Sequence, residues 1–322
     1  MATLLSPMAA ATAGTRVDAI RAKDRVTCGV VERVPGFTRF EDGRAVGFEP
    51  DLCRAIAAAI LGAADKVEFV PADSVDDFRA DSTVDVVARR LTLTLQRDTM
   101  AGMTFGPVVF YDGAALMVRS DGGIAEVAAL DGKKICERSG SEAAEALARH
   151  FSLKGWHYAP EGRATFSAAT EAFLAGACTA LIGDISELGA VRYRHPNGAT
   201  ILPPLLSKEP LAFLMRDDDP EFVSIVRWTM FALIAAEELG VTAASVATPS
   251  ADPDVQRLLG VHAGNGKSLG LDERWAATVI QSVGNYGEIF DRHLGTGSPY
   301  RMERGLNALW SAGGLMYAPP LR

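Results

Sequence analysis

Residues 91–98, with the sequence LTLTLQRD, place two threonine hydroxyls beside an arginine. Strict alternation of leucine and threonine is typical of a strand with one apolar and one polar face, so Thr92 and Thr94 are expected on the same side. A planar guanidinium next to hydroxyl groups is well suited to hold a carboxylate. Arg97 is therefore a candidate anion-binding residue. The alternative is a solvated arginine at the start of a helix.

A Ser-Gly-Ser turn provides a second candidate. Ser139 and Ser141 follow a predicted strand, and a helix is expected to open at about Glu142. Backbone N–H groups at the start of a helix are unpaired and attract anions. An ordinary helix cap would give the same sequence pattern, and both interpretations stay open.

Asp184 ends a predicted strand of otherwise apolar residues. Open α/β sheets place ligand-binding groups at the carboxyl ends of their strands, although Asp184 could also cap the following helix. Taken together, the arginine, the hydroxyls, the turn amides and this carboxylate would recognise a zwitterion.

Other chemistries lack support in the sequence. The four cysteines form no Cys-x-x-Cys pair, the five histidines are scattered, and no Gly-x-Ser-x-Gly motif occurs. The stretch GNGKS at 264–268 resembles the end of a phosphate-binding loop, but it lacks the first glycine and a preceding strand. We expect no metal, nucleotide or other cofactor.

The composition describes a soluble globular protein. The chain has 322 residues and a net charge of −8 without a Lys/Arg stripe, so nucleic acid and anionic membrane surfaces are poor partners. No apolar stretch approaches the ~18–20 residues that span a bilayer. The first 16 residues contain an Ala-x-Ala-like site but no basic segment. They are either the remnant of a signal peptide or an unstructured start.

The order of predicted elements indicates an α/β fold with two lobes. Strands and helices alternate as in parallel sheets, the pattern restarts after residue 120, and two long apolar strands at 106–120 and 208–216 could cross between the halves. A helix at 219–240, with Asp219 as N-cap, opens a helical tail whose shorter helices are predicted within 253–260, 271–283 and 302–312.

This plan sets the expected domain boundaries. Residues 1–16 lack fixed structure, lobe 1 comprises 17–117 and part of 212–322, lobe 2 comprises 118–211, and the helical C-terminal extension covers 220–322.

The cysteines fall into two pairs, each with one cysteine in a strand and one near a neighbouring element. Cys28 and Cys53 belong to lobe 1, and Cys136 and Cys178 belong to lobe 2. This placement suits two disulfides in an oxidising compartment, while four buried free thiols are the alternative.

Several long motifs carry a family resemblance. They include GFEPDLCRAIAAAI, the Thr-x-Thr-x-x-Arg-Asp segment, LDGKKIC, VGNYGEIFDR and GLNALWSAGGLMYAPPLR. With these motifs, which cover roughly residues 17–322, the chain resembles the periplasmic solute-binding proteins of amino-acid ABC transporters. The family is extracellular solute-binding family 3, and the nearest branch is the long, general L-amino-acid-binding proteins. The resemblance implies the two-lobe, type II periplasmic-binding-protein-like fold.

The resemblance also implies roles for individual residues. Arg97 would clamp the α-carboxylate of the ligand with help from Thr92, and the Ser139–Ser141 loop would close over it from lobe 2. Asp184 would take the α-ammonium group. Phe37 matches a loop aromatic near the rim of the pocket.

The implied function is non-catalytic. The protein would bind an amino acid or related zwitterion as a periplasmic monomer, with a signal peptide absent or truncated in this chain, and deliver it to the permease of an ABC transporter. It would touch the membrane complex only peripherally. The lobes would close through crossings near Leu116–Ser120 and Ser207–Phe213. The alternatives are a chemosensory binding protein and a cyclohexadienyl-dehydratase-like enzyme, for which Glu142 and Glu187 are the unusual carboxyl groups.

Six positions depart from the family pattern. Relatives have asparagine at the position of Arg90, usually tryptophan at Leu93, tryptophan at Ala45 and a small polar residue at Glu142. Around Asp184 they often have threonine at Gly183 and arginine at Ile185. These changes predict a polar or charged side-chain compartment. Because a buried unpaired arginine is costly, Arg90 should pair with Glu142, contact an acidic ligand or stay in water.

Overall fold

The structure is a computed structural model that describes residues 15–31, 36–72, 74–195 and 198–322. The expectation for the first residues therefore lies, up to residue 14, outside the described part. Thr15 and Arg16 begin the first helix, and the Arg16 backbone N–H donates to Asp219 at 2.9 Å.

The described chain forms twelve strands, which are β1 Val26–Val30, β2 Arg39–Glu41, β3 Arg44–Val46, β4 Val67–Pro71, β5 Val86–Ala88, β6 Met103–Asp112, β7 Ala114–Arg119, β8 Lys134–Arg138, β9 Ala159–Arg163, β10 Ala180–Asp184, β11 Ala199–Leu202 and β12 Glu209–Arg216. Its α-helices are α1 Thr15–Lys23, α2 Phe48–Leu61, α3 Val75–Ala80, α4 Leu95–Asp98, α5 Glu142–Lys154, α6 Phe166–Leu174, α7 Ile185–Arg194, α8 Pro220–Glu238, α9 Pro253–Leu258, α10 Asn265–Ser268, α11 Trp275–Val283 and α12 Tyr286–His293.

Two five-stranded sheets organise the molecule, as the predicted two-lobe α/β fold requires. The first sheet, which defines lobe 1, has the order β4-β1-β5-β12-β6. Its β1 runs parallel to β4 and β5 and is buried at every position, as expected for a parallel strand covered on both faces. The second sheet, which defines lobe 2, has the order β11-β7-β10-β8-β9. Strands β8, β9 and β10 are parallel there.

The chain crosses between the sheets at two adjacent points. The first crossing is Gly113, between β6 and β7, and the second lies between β11 and β12. The two crossings touch, because the Ala114 N–H donates to Ser207 Oγ at 2.9 Å and a Cβ on Gly113 would lie 2.6 Å from Ser207 O. The first crossing thus comes earlier than the predicted Leu116–Ser120, which lies in β7 up to Arg119. The predicted second crossing, Ser207–Phe213, is also too late, because β12 begins at Glu209.

The C-terminal helices extend the core of lobe 1. The Asp219 carboxylate caps α8 by accepting from the N–H groups of Glu221 and Phe222, as predicted. Helices α11 and α12 pack on α2 and α8. The tail differs from prediction at three places. The expected helix within 302–312 is two short 3₁₀ turns, and the short helix α10 was not predicted. Helix α12 was not predicted either, although Asn285 and Glu288 form a capping box at its start.

Both cysteine pairs are disulfides, so the free-thiol alternative is wrong. Cys28 in β1 is bonded to Cys53 in α2, and Cys136 in β8 is bonded to Cys178 just before β10. Each bond joins a strand to a neighbouring segment of the same lobe. Within the described ranges, no helix combines the length and the apolar character needed to cross a membrane.

Candidate ligand-binding cleft

A cleft of about 380 Å³ separates the two lobes beside the crossings. Both lobes supply its walls, which are lined by Arg89, Arg90, Leu91, Thr92, Arg97, Arg138, Gly140, Ser141, Glu142, Ala143, Phe166, Ile182, Gly183, Asp184 and Glu187. Six of the eight predicted ligand-binding residues belong to this set. Ser139 and Phe37 do not.

The segment that carries Arg97 is not the predicted strand. Strand β5 ends at Ala88, and only one bridge, between Thr92 and Leu211, continues the pairing. Leu95 is 82% exposed, so the alternating leucines do not share a buried face. The chain turns away because Arg90 adopts a left-handed conformation with φ 52°. Such a conformation is unusual for a residue with a side chain and needs support from its surroundings.

Hydrogen bonds hold Thr92 and Arg97 in place on the wall of lobe 1. Thr92 Oγ1 donates to Glu209 Oε2 at 2.8 Å, at the start of β12. Arg97 Nη1 donates to the Thr92 carbonyl at 3.0 Å, and the Thr94 hydroxyl caps the short helix α4. One edge of the guanidinium is thereby anchored to the backbone. Its remaining N–H groups can serve a carboxylate in the cleft.

Arg90 makes hydrogen bonds to both lobes. Its backbone N–H donates to the buried carboxyl of Glu49, and its Nη1 donates to Ser186 Oγ at 2.8 Å. Its guanidinium carbon lies 5.8 Å from the ring centre of Phe37. The ion pairs of the described residues do not include Arg90 with Glu142. Of the three sequence-based alternatives, pairing with Glu142 is therefore wrong.

Phe37 lies beneath this arginine rather than at the rim of the cleft. It is 1% exposed and packs edge-on against Phe48 and Phe110. Its contribution to the site is indirect, because it supports the guanidinium of Arg90 from below.

Asp184 is half-buried at the end of β10 and faces the cleft. It occupies the N-cap position of α7, yet its side chain accepts no capping hydrogen bond. Burial, together with the nearby carboxyl groups of Asp112 and Glu187, raises the pKa of Asp184 to about 8, while Arg90 opposes the rise. A carboxyl group in this setting gains strongly from a cationic partner. The side chain of Asp184 therefore faces the cleft without capping α7.

The residues of the Ser-Gly-Ser turn differ in what they do: some cap the following helix and some line the cleft. Ser141 is buried and caps α5, because its Oγ accepts from the Ala144 N–H at 3.2 Å. Gly140 and Ser141 line the cleft, but Ser139 is exposed outside the lining. Glu142, at the first position of α5, is exposed at the edge of the cleft.

Gly183 leaves space that an aromatic ring fills. A Cβ at this position would overlap the Phe166 ring, which lines the cleft next to Asp184. The Phe166 ring can take this position because residue 183 has no side chain. Together they place an aromatic surface in the compartment that the sequence marked as altered.

Several site residues were missed by sequence reasoning. Arg89, Arg138 and Phe166 line the cleft directly. Two acidic side chains lie behind the walls of the cleft and hold residues in place. Glu209 holds Thr92, and the buried Asp112 accepts from the Ser186 N–H at 3.2 Å. Asp112 ends β6 as Asp184 ends β10, so the strand-end rule that identified one would have identified the other.

The fold and this cleft define a two-lobe solute-binding protein, and comparison with known proteins places it in a family. Residues 26–244 match the family of bacterial extracellular solute-binding proteins, family 3. The chain belongs to this family, and the resemblance seen in the sequence is confirmed.

Relatives match along nearly the whole chain. The general L-amino acid-binding periplasmic protein AapJ of Rhizobium johnstonii is 40% identical over 330 residues, covering 100% of this chain and 97% of its own. The glutamate/glutamine/aspartate/asparagine-binding protein BztA of Rhodobacter capsulatus is 38% identical, covering 99% and 97%. A Brucella ovis periplasmic binding protein, solved with glutathione bound, is 39% identical with a TM-score of 0.84, covering 95% and 99%.

Proposed function

We propose that this protein binds an α-amino acid or a related zwitterion in the interlobe cleft and delivers it to the permease of an ABC transporter. The observation that carries the proposal is that Arg97, Thr92 and Asp184 line one cleft from opposite lobes. A cation and a carboxylate on facing walls match the two charges of an α-amino acid.

The roles of the two residues follow from the hydrogen bonds within the site. The anchored guanidinium of Arg97 donates to the α-carboxylate in a fork geometry, which is stronger and more directional than a single charged contact. Asp184, which has no capping partner, accepts the α-ammonium group. The backbone N–H of Gly140 approaches the carboxylate from lobe 2, whereas the Ser141 N–H already donates to the Arg138 carbonyl at 3.2 Å.

The named ligands of the relatives share this head group. The Rhizobium protein is a general L-amino-acid binder, the Rhodobacter protein binds glutamate, glutamine, aspartate and asparagine, and the Brucella protein holds glutathione. Each of these ligands carries an α-carboxylate beside an α-ammonium group. The Rhizobium relative is a periplasmic protein, and we propose the same location for this chain. We further propose that it works there as a monomer with a permease.

The enzymatic alternative was attached to Glu142 and Glu187. Glu142 is exposed at the edge of the cleft, while Glu187 is half-buried in its lining. The named relatives are amino-acid-binding proteins. The chain is a binding protein of this transport family rather than an enzyme.

Thermal unfolding and calorimetric titration with the twenty L-amino acids and glutathione test the proposal. A ligand at a hundredfold its Kd should add about 2.7 kcal/mol to the free energy of unfolding. Arg97→Ala should abolish the shift. Arg79→Ala, an exposed lobe 1 arginine with only a 3.9 Å contact to Asp76, is the matched control and should bind normally. Absence of binding for every compound would overturn the proposal.

A further inference from the structure

The cleft is lined by more arginines than a single α-carboxylate requires. Its lining contains four arginines, whereas the proposed function assigns only Arg97 to the ligand. The partners of the other three decide whether one of them can bind a further negative group of the ligand.

Three of the four arginines have assigned partners. Arg97 is anchored to Thr92 and faces the α-carboxylate. Arg90 donates to Ser186 and acts on the buried Asp112. Burial raises the pKa of Glu49, and the charges of Arg90 and Arg89 oppose that rise, so Arg89 also has a nearby carboxyl group.

Arg138 is different. It is the last residue of β8, it is exposed, and it borders the cleft immediately before the turn that carries Gly140 and Ser141. In the described part of the chain, its guanidinium enters no ion pair and no side-chain hydrogen bond. It lies on the lobe opposite Arg97, so the two guanidinium groups can address different parts of one ligand.

We infer that Arg138 binds a second carboxylate of the ligand, so that the preferred ligand is a zwitterion carrying two carboxylates and one ammonium group. This inference rests on the proposed function, since it assigns the first carboxylate to Arg97. Two classes of compound share this chemistry. One is an acidic amino acid such as glutamate, and the other is a short peptide with a free carboxyl end, such as glutathione.

Calorimetric titration with matched pairs of ligands tests the inference. L-Glutamate and L-glutamine differ at the end of the side chain, and glutathione differs from its glycine amide at the second carboxylate. At least one acid should bind the wild-type protein about tenfold or more tightly than its neutral partner, because charge-assisted hydrogen bonds are the strong ones. Preference within the first pair indicates an acidic amino acid, and preference within the second alone indicates a peptide.

Arg138→Gln should reduce that preference to less than about twofold while the neutral partner binds as before. Arg149→Gln, at an exposed arginine of α5 outside the cleft lining, is the matched control and should keep the preference. Equal binding of acid and neutral partner by the wild type, or a preference that survives Arg138→Gln, would overturn the inference. If other amino acids then bind in an Arg97-dependent manner, the proposed function stands alone. If nothing binds, both fail.

Discussion

The two walls of the cleft are built differently. On lobe 1, Arg90, Thr92 and Arg97 are fixed by hydrogen bonds to Glu49, to the Thr92 carbonyl and to other groups behind the wall. On lobe 2, Arg138 and Glu142 are exposed at the edge of the cleft. The arginines of the lobe 1 wall are thus held by hydrogen bonds within the protein, whereas on lobe 2 Arg138 and Glu142 are exposed and only Asp184 and Glu187 are half-buried.

This difference suggests how binding energy is used. A preorganised wall loses little side-chain entropy on binding, whereas exposed side chains must be ordered when they engage the ligand. We expect lobe 1 to supply affinity for the head group that all candidate ligands share. Lobe 2 should supply discrimination between ligands.

The largest expected effect concerns the support behind the wall of lobe 1. Glu49 is 6% exposed and accepts from the Arg90 N–H and from Thr38 Oγ1. Glu49→Ala should lower the free energy of unfolding by about 3 kcal/mol, because it leaves a cavity and two unsatisfied buried donors. Urea denaturation measures the loss.

Glu142→Ala is the matched change on the wall of lobe 2. An exposed residue at the first position of a helix should cost less than about 1 kcal/mol on substitution. Equal losses for the two variants would contradict the contrast between a fixed and an open wall.

The second effect is a dependence of affinity on pH. Because the pKa of Asp184 is raised to about 8, the free protein holds a proton there at neutral pH, and binding of an ammonium group must release it. Affinity should therefore rise from pH 6 to pH 8 by up to about 50-fold, or about 2.3 kcal/mol, and level off about one pH unit higher. Calorimetry in buffers of different ionisation enthalpy at pH 7 should show close to one proton released.

The same group affects stability in the opposite direction. Its pKa is higher in the folded state than the ordinary 3.8, so the folded protein binds more protons. The stability it contributes is full below about pH 4 and is lost as the pH rises towards about 8. Asp184→Asn should bind weakly, release no proton and flatten this part of the stability profile. A wild-type affinity that does not vary with pH would remove Asp184 from the ammonium site.

The third effect concerns the aromatic surface on lobe 2. In Gly183→Ala, the new Cβ must displace the Phe166 ring, at a cost of about 2 kcal/mol in unfolding free energy and with weaker ligand binding. Gly106→Ala is the control, because its Cβ would lie an ordinary 3.6 Å from Met215 Cε. If Gly183→Ala behaves like Gly106→Ala, Phe166 does not depend on the space at position 183.

Local signals in the sequence predicted the elements that local interactions determine. Helix α2 ends at Leu61, before a left-handed Gly62, and α8 starts at its Asp219 cap, both as expected. The predicted strand through 91–95 failed because the left-handed Arg90 overrides the alternating pattern. That conformation depends on a carboxyl group 41 residues away in the chain, which periodicity cannot show.

The site residues show the same contrast between what local sequence patterns reveal and what only the folded chain brings together. Local sequence patterns pointed to Arg97, Thr92 and Asp184, and the family resemblance supplied their individual roles. All three line the cleft. Arg138 and Phe166 were missed, because only the folding of lobe 2 brings them to the same cleft as Arg97.

The smallest effect separates the two serines of the turn on lobe 2. Ser141→Ala removes the hydroxyl that caps α5 and should lower the free energy of unfolding by about 1 kcal/mol. Because the cap also orients the amide groups that border the cleft, the affinity for the ligand should fall by a few fold. Ser139→Ala changes an exposed side chain outside the cleft lining, so stability and affinity should stay at wild-type values. Urea denaturation and calorimetry on the two variants distinguish these outcomes. A larger loss of affinity in Ser139→Ala would mean that this serine reaches the ligand when the lobes close, and that the wall of lobe 2 rearranges more on binding than its contacts in the free protein indicate.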